Sequence, residues 1–213
     1  MKLTKYEHAC AVIEEDEQTL ILDPGVFSRS FPPETLTNAA AAIVTHNHPD
    51  HFDRKHLTTL LAQNPGVTIY APEDVTDPLG HIPITHVAPG DTVTVGPFTL
   101  SFGGGEHAVI DEDIPAPKNL TVTINQTVYY PGDSFVLPEQ NPEIILTPII
   151  APWSKISETI DFIQATHAHV YIPTHDALLS ADGHSVYDRI ITPVAERENA
   201  RYIRLAIGDA YVL

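Results

Sequence analysis

The chain has 213 residues, 43% of them hydrophobic, and carries 28 acidic against 11 basic side chains for a formal charge of -17. A chain of this length fits one domain with a sizeable core, and no apolar run approaches the ~18 residues of a membrane span. The acidity argues against nucleic acid or an anionic membrane as partner, since both are bound through Lys/Arg patches, and otherwise suits plain solubility.

Taken in chain order, residues 3–14 and 19–22 read as two β-strands around the acidic turn Glu15-Asp16-Glu17, and Asp23-Pro24-Gly25 ends the second. Residues 39–44 form an apolar run that reads as the end of a buried strand. Leu57, Leu60 and Leu61 give residues 54–63 helical spacing, and 67–71 is a short strand. Residues 92–95 and 98–102 alternate around Gly96-Pro97 as a hairpin, followed by Gly103 to Gly105, a flexible loop or a place of close backbone approach.

The second half repeats this style. Residues 120–125 and 127–130 read as paired strands, 144–150 as a buried strand, 154–166 as a helix and 170–172 as a strand. Residues 186–200 read as a helix that Pro193 breaks or kinks, and 202–205 and 210–213 as closing strands. Nothing splits the chain, so residues 1–213 are read as a single domain with two sheets and helices outside. Cys10 is the only cysteine and the N-terminus lacks a signal-peptide core, which fits a reducing cytoplasm.

The chemistry concentrates in Thr45-His46-Asn47-His48-Pro49-Asp50-His51. Imidazole is the commonest metal ligand among side chains, and carboxylate is a hard partner for it. In such a run His46 and His48 can bind one ion while Asp50 and His51 turn toward a second. Pro49 puts the run on a loop at a strand end. Partners from elsewhere are then expected, and three loop positions supply them, each after a strand: His107, Asp133 in Gly132-Asp133, and His175 in Pro173-Thr174-His175.

The ordered set His46-x-His48-x-Asp50-His51, His107, Gly132-Asp133, His175 resembles the metallo-β-lactamase superfamily, and within it small bacterial metal-dependent hydrolases akin to ascorbate-6-phosphate lactonase. Those proteins also begin with a strand carrying a histidine, here His8, and one ending in Asp-Pro, here Asp23-Pro24. The resemblance implies an α/β fold, an αββα sandwich of two mixed β-sheets flanked by helices. It also implies two divalent ions at one edge, zinc by preference, with manganese, iron or nickel as alternatives. His46, His48 and His107 would hold the first ion; Asp50, His51 and His175 the second; Asp133 would bridge, and Asp23 would orient a ligand histidine. No cysteine matches the second-metal cysteine of some antibiotic-hydrolysing members. The extra acidic ligand of di-iron relatives is missing too, since Asn47 and Pro49 flank His48.

The function implied is a binuclear hydrolase in which a bridging hydroxide cleaves a small ester, lactone or phosphodiester, with Asp50 as the catalytic carboxylate. A non-catalytic metal-binding sensor or scaffold, or a nuclease of the same superfamily, are the alternatives. The expected partner is a small-molecule substrate, and similar lactonases suggest a homo-oligomer. Trp153 walls the pocket or merely packs, and His8 is a rim or a strand histidine. His56, His81, His86, His167, His169 and His184 are read as structural, and Arg29, Arg54 and Lys118 as isolated surface charges. The acidic segment 108–117, next to His107, is expected to point its carboxylates to solvent or to a second copy.

Overall fold

The computed structural model describes residues 1–213. Its first sheet has the order β14-β1-β2-β3-β4-β5-β6: β1 (Lys2–Lys5), β2 (Ala11–Glu15), β3 (Gln18–Leu22), β4 (Ala39–Ile43), β5 (Thr68–Ala71), β6 (Ile84–His86) and β14 (Ala210–Val212). The second has the order β13-β12-β11-β10-β9-β8-β7, from β7 (Thr92–Val95), β8 (Phe98–Glu106), β9 (Lys118–Ile124), β10 (Val128–Tyr130), β11 (Ile144–Pro148), β12 (Val170–Thr174) and β13 (Arg201–Tyr202). Both sheets mix parallel and antiparallel pairs.

Three apolar clusters define the layers. The largest, 21 buried residues, takes side chains from both sheets, among them Leu20, Ile43, Phe98, Val122 and Ile172, so the sheets pack face to face. A second cluster sets Val12, Ile21, Ala42 and Ile69 against Leu57 and Leu60 of α1 (Arg54–Gln63). A third sets Ile145 and Tyr171 against Phe162 and Ile163 of α2 (Ile156–Ala165) and Ile191 and Val194 of α3 (Ala181–Arg197). This is the αββα sandwich. No helix is long and apolar enough to cross a membrane.

Local chemistry explains the elements. Asp53 caps α1 by accepting from Lys55 N, a contact worth ~1 kcal/mol. Asp16 and Glu17 both take positive φ between β2 and β3, the backbone twist a tight hairpin needs.

Several expected elements change. The strand at residues 3–14 is two strands, parted by Tyr6 to Cys10, where His8 adopts φ +60. Gly103 to Gly105 belong to β8 and pair with β9 rather than forming a loop. The last helix begins at Ala181 and runs through Pro193, which forfeits only its own N–H. β6 is short and half-exposed, so no alternation betrays it. The two closing strands separate, β13 joining the second sheet and β14 the first.

Candidate metal centre

The candidate ligands sit just beyond strand ends. His46 follows β4, His107 follows β8, Asp133 follows β10 and His175 follows β12. Backbone hydrogen bonds knit these loops together: Leu120 N to Thr45 O, Ala108 N to Asp133 O, and His175 N to His8 O. Close approach requires glycine at two points. A Cβ on Gly25 would lie 1.8 Å from Asp50 O, and Gly132, at φ +58, would collide with Asn119 and Thr45. Asn119 in turn accepts from Asp133 N (3.0 Å) and donates to Pro131 O (2.9 Å), fixing the turn that presents Asp133.

Two groups of ligand atoms result. His46, His48, His107 and Asp133 form one, with His46 Nε2 and His48 Nδ1 3.1 Å apart. Asp50, His51 and His175 form the other, joined by His8. Asp133 reaches both: Oδ2 lies 3.3 Å from His107 Nε2 and 3.0 Å from His175 Nε2, and Oδ1 lies 3.2 Å from His51 Nε2. All seven expected ligands are therefore brought together, with Asp133 between the two groups.

The histidines are oriented from behind. His107 Nδ1 bonds Ala108 O and His175 Nδ1 bonds Ile150 O, each at 2.6 Å. His51 Nδ1 bonds Asp23 Oδ2 at 2.6 Å. Asp23, fully buried, also accepts from Thr45 N, Thr45 Oγ1 and Tyr130 OH. Because Thr45 gives its proton to Asp23, its oxygen is left to accept from His46 Nδ1 (3.0 Å). One carboxylate thus sets a histidine in each group, and the Nε2 atoms of His51, His107 and His175 point into the centre. Those three nitrogens and Asp133 Oδ1 are buried without a hydrogen-bond partner. Buried polar atoms rarely stay unpaired, so four converging on one point fit divalent cations.

The electrostatics point the same way. Burial holds the His46 and His48 imidazoles below their ordinary range, and His8 at about 4. Burial would also lower His51 and His175, but the neighbouring carboxylates outweigh it. Asp133 and Asp23 push His51 well above its usual value, and Asp133 lifts His175 to about 9. Burial opposes ionisation of Asp133, yet His51 and His175 hold it well below the usual carboxylate range; contacts from His175 and His8 do the same for Asp50. In the metal-free molecule, protons on His51 and His175 occupy a field built for cations.

A sequence profile described as a beta-lactamase superfamily domain matches residues 2–175. The chain belongs to the beta-lactamase superfamily. Protein Rv0786c of Mycobacterium tuberculosis (strain ATCC 25618 / H37Rv) is 35% identical over 192 residues, covering 88% of this chain and 89% of that protein. Among solved structures, Igni18, a metallo hydrolase from Ignicoccus hospitalis KIN4/I, superposes with a TM-score of 0.74 at 17% identity over 99% of this chain and 97% of its own. The metallo-beta-lactamase fold protein YhfI of Bacillus subtilis gives a TM-score of 0.71 at 18% identity over 99% and 98%. Such likenesses establish the metallo-β-lactamase fold.

Within this superfamily member, the structure resolves roles that the sequence left open and adds others. His8 is fully buried and its Nε2 lies 3.0 Å from Asp50 Oδ2, so it belongs with the metal centre, as its family position suggested, and is no plain strand histidine. Trp153 Nε1 donates to Asp133 Oδ2 at 2.9 Å, and its ring meets Phe135 edge-on, so it both packs and steers the shared carboxylate. Tyr130 and Thr45 serve Asp23 through contacts far apart in sequence. Arg54 forks onto Asp77, and Arg29 lies over the Phe27 ring. The remaining histidines stay outside the centre: His56, His86 and His184 contact backbone carbonyls, His169 pairs with Glu143, and His81 and His167 are exposed. Asp111, Glu112 and Asp113 are exposed, as expected of that loop.

Proposed function

We propose that this chain is a binuclear metal-dependent hydrolase of a small, uncharged ester or lactone. The observation that carries the reading is the buried convergence of unpaired ligand atoms from His51, His107, His175 and Asp133. His46, His48 and His107 would hold one ion, and Asp50, His51 and His175 the other, with Asp133 shared. Zinc suits this His/carboxylate donor set best. Two such ions supply, when bound, a readily deprotonated water and a Lewis acid for the scissile carbonyl.

The chain's own residues do the rest. Trp153 holds the Asp133 carboxylate and Asn119 its backbone N–H, so the shared carboxylate is preset. Asp50 is the ligand carboxylate that solvent reaches, with 21% of its side chain exposed. It is placed to take the proton of the attacking water at Oδ2 and hand it to the departing oxygen.

The substrate class is read from the exposed residues that flank the ligands in the chain. Val26, bonded through its N–H to Pro49 O, is exposed; so are Val109 and Ile110 just after His107, and Leu178 just after His175. Exposed apolar side chains beside the ligands, on a chain of charge -17, favour a neutral acyl substrate over a phosphodiester or nucleic acid.

The test compares zinc-loaded protein with Asp50→Ala on a chromogenic lactone or ester and on bis(p-nitrophenyl) phosphate. The expected result is chelator-sensitive turnover of the carbonyl substrate, faster than that of the diester. Asp50→Ala should lower kcat/KM by at least ~100-fold, as for a proton-transfer group. Turnover of the diester alone would replace the reading with a phosphodiesterase. Silence on both, with the ions bound, would replace it with a metal-binding scaffold.

A further inference from the structure

His8 lies among the ligand atoms of the second group, yet its ring is wired in the opposite sense to the ligand histidines. His46, His51, His107 and His175 each have an acceptor at Nδ1, which leaves Nε2 free to bind an ion. His8 has no partner at Nδ1, and its Nε2 faces a carboxylate oxygen, Asp50 Oδ2, at 3.0 Å. A neutral imidazole carries one N–H. Placed on Nδ1, that proton would be a buried donor without an acceptor; placed on Nε2, it donates to Asp50.

The backbone supports the same assignment. His8 is held at φ +60, a conformation that costs energy for a residue other than glycine and persists only where its surroundings enforce it. They do so here: its carbonyl accepts from the buried Lys5 ammonium (2.7 Å) and from His175 N (3.1 Å). Its ring is wedged between His175, with centroids 4.0 Å apart, and the edge of Phe27 at 5.2 Å. The break between β1 and β2 thus turns a strand residue inward onto a carboxylate that otherwise faces solvent.

We propose that His8 is a positioning residue: its Nε2–H holds Asp50 in the second group, and His8 does not itself bind the ion. This rests on the two-ion reading above.

Two variants separate the possibilities. Asn tolerates the left-handed backbone but its amide is too short to reach Asp50. Gln places an N–H where the histidine Nε2–H lies. Zinc affinity is read for both ions by chelator competition, with thermal unfolding of the metal-free proteins as the control for folding. With two ions bound by the parent chain, His8→Asn should weaken one of them by ~10- to 100-fold, the usual loss when a ligand's outer partner is removed, and spare the other. His8→Gln should stay within about 3-fold of the parent, because the hydrogen bond is restored. If His8→Gln falls as far as His8→Asn, His8 is a ligand and the proposal is wrong. If neither variant changes either affinity, His8 plays no part and the proposal is equally wrong. A parent chain that takes up fewer than two ions overturns the two-ion reading itself.

Discussion

The two ligand groups share Asp133 and a wall of imidazoles, yet they are electrostatic opposites in the metal-free molecule. Around His46 and His48 burial dominates, and the rings are held neutral. Around His51 and His175 the carboxylates dominate and the rings hold protons, His175 up to about 9. The geometry explains the contrast: His51 lies 2.6 Å from Asp23, 3.2 Å from Asp133 and 3.8 Å from Asp50, whereas the nearest carboxylate to His46 is Asp133 at 3.9 Å. The first group is ready to receive an ion near neutrality, while the second must exchange protons for one.

The largest expected effect comes from removing what the groups share. Asp133→Ala should weaken zinc binding in both by at least ~100-fold, beyond the loss typical of outer partners, measured as retained zinc after dialysis. Loss from one group alone would show that Asp133 does not join them. Asp23→Ala should come next, because it strands the buried donors of Thr45, His51 and Tyr130. A cost of about 3–5 kcal/mol is expected in urea unfolding of the metal-free protein, with the second group's zinc affinity falling more than the first's.

The contrast is sharpened by pH. His175 has its pKa raised from 6.5 to about 9. Its contribution to the metal-free fold is therefore complete below about 6.5 and is lost as pH climbs through about 9. Over the same window zinc has progressively less of that proton to displace. The gain in Tm on adding zinc should widen between pH 6.5 and pH 9; a constant or shrinking gain would break the argument. The smallest effect belongs to Tyr130→Phe, which removes one donor from Asp23 and should cost about 1 kcal/mol with both ions retained.

How much of this was legible in the sequence depends on how far apart the partners lie. The run from His46 to His51 announces itself because four candidate ligands fall within six positions, and its order with His107, Asp133 and His175 carried the fold. α1 was legible to the residue, since Leu57 and Leu60 mark its buried face. His8 was marked only by the resemblance; its inward turn depends on a backbone reversal inside an apolar run, which periodicity reads as continuous strand. Tyr130 meets Asp23 across 107 residues, and Trp153 meets Asp133 across 20; only the packed sheets create those contacts. The two closing strands were read from the sequence, but not that β13 joins one sheet and β14 the other.

The most direct test is calorimetric titration of the metal-free protein with zinc at pH 7, repeated in two buffers of different ionisation enthalpy, on the parent chain, His48→Ala and Asp50→Ala. The account predicts two equivalents in the parent chain. It also predicts that the ion bound by His48→Ala, held by the second group, releases at least about one proton more than the ion bound by Asp50→Ala. A single equivalent in the parent chain, or equal proton release from the two variants, would contradict it.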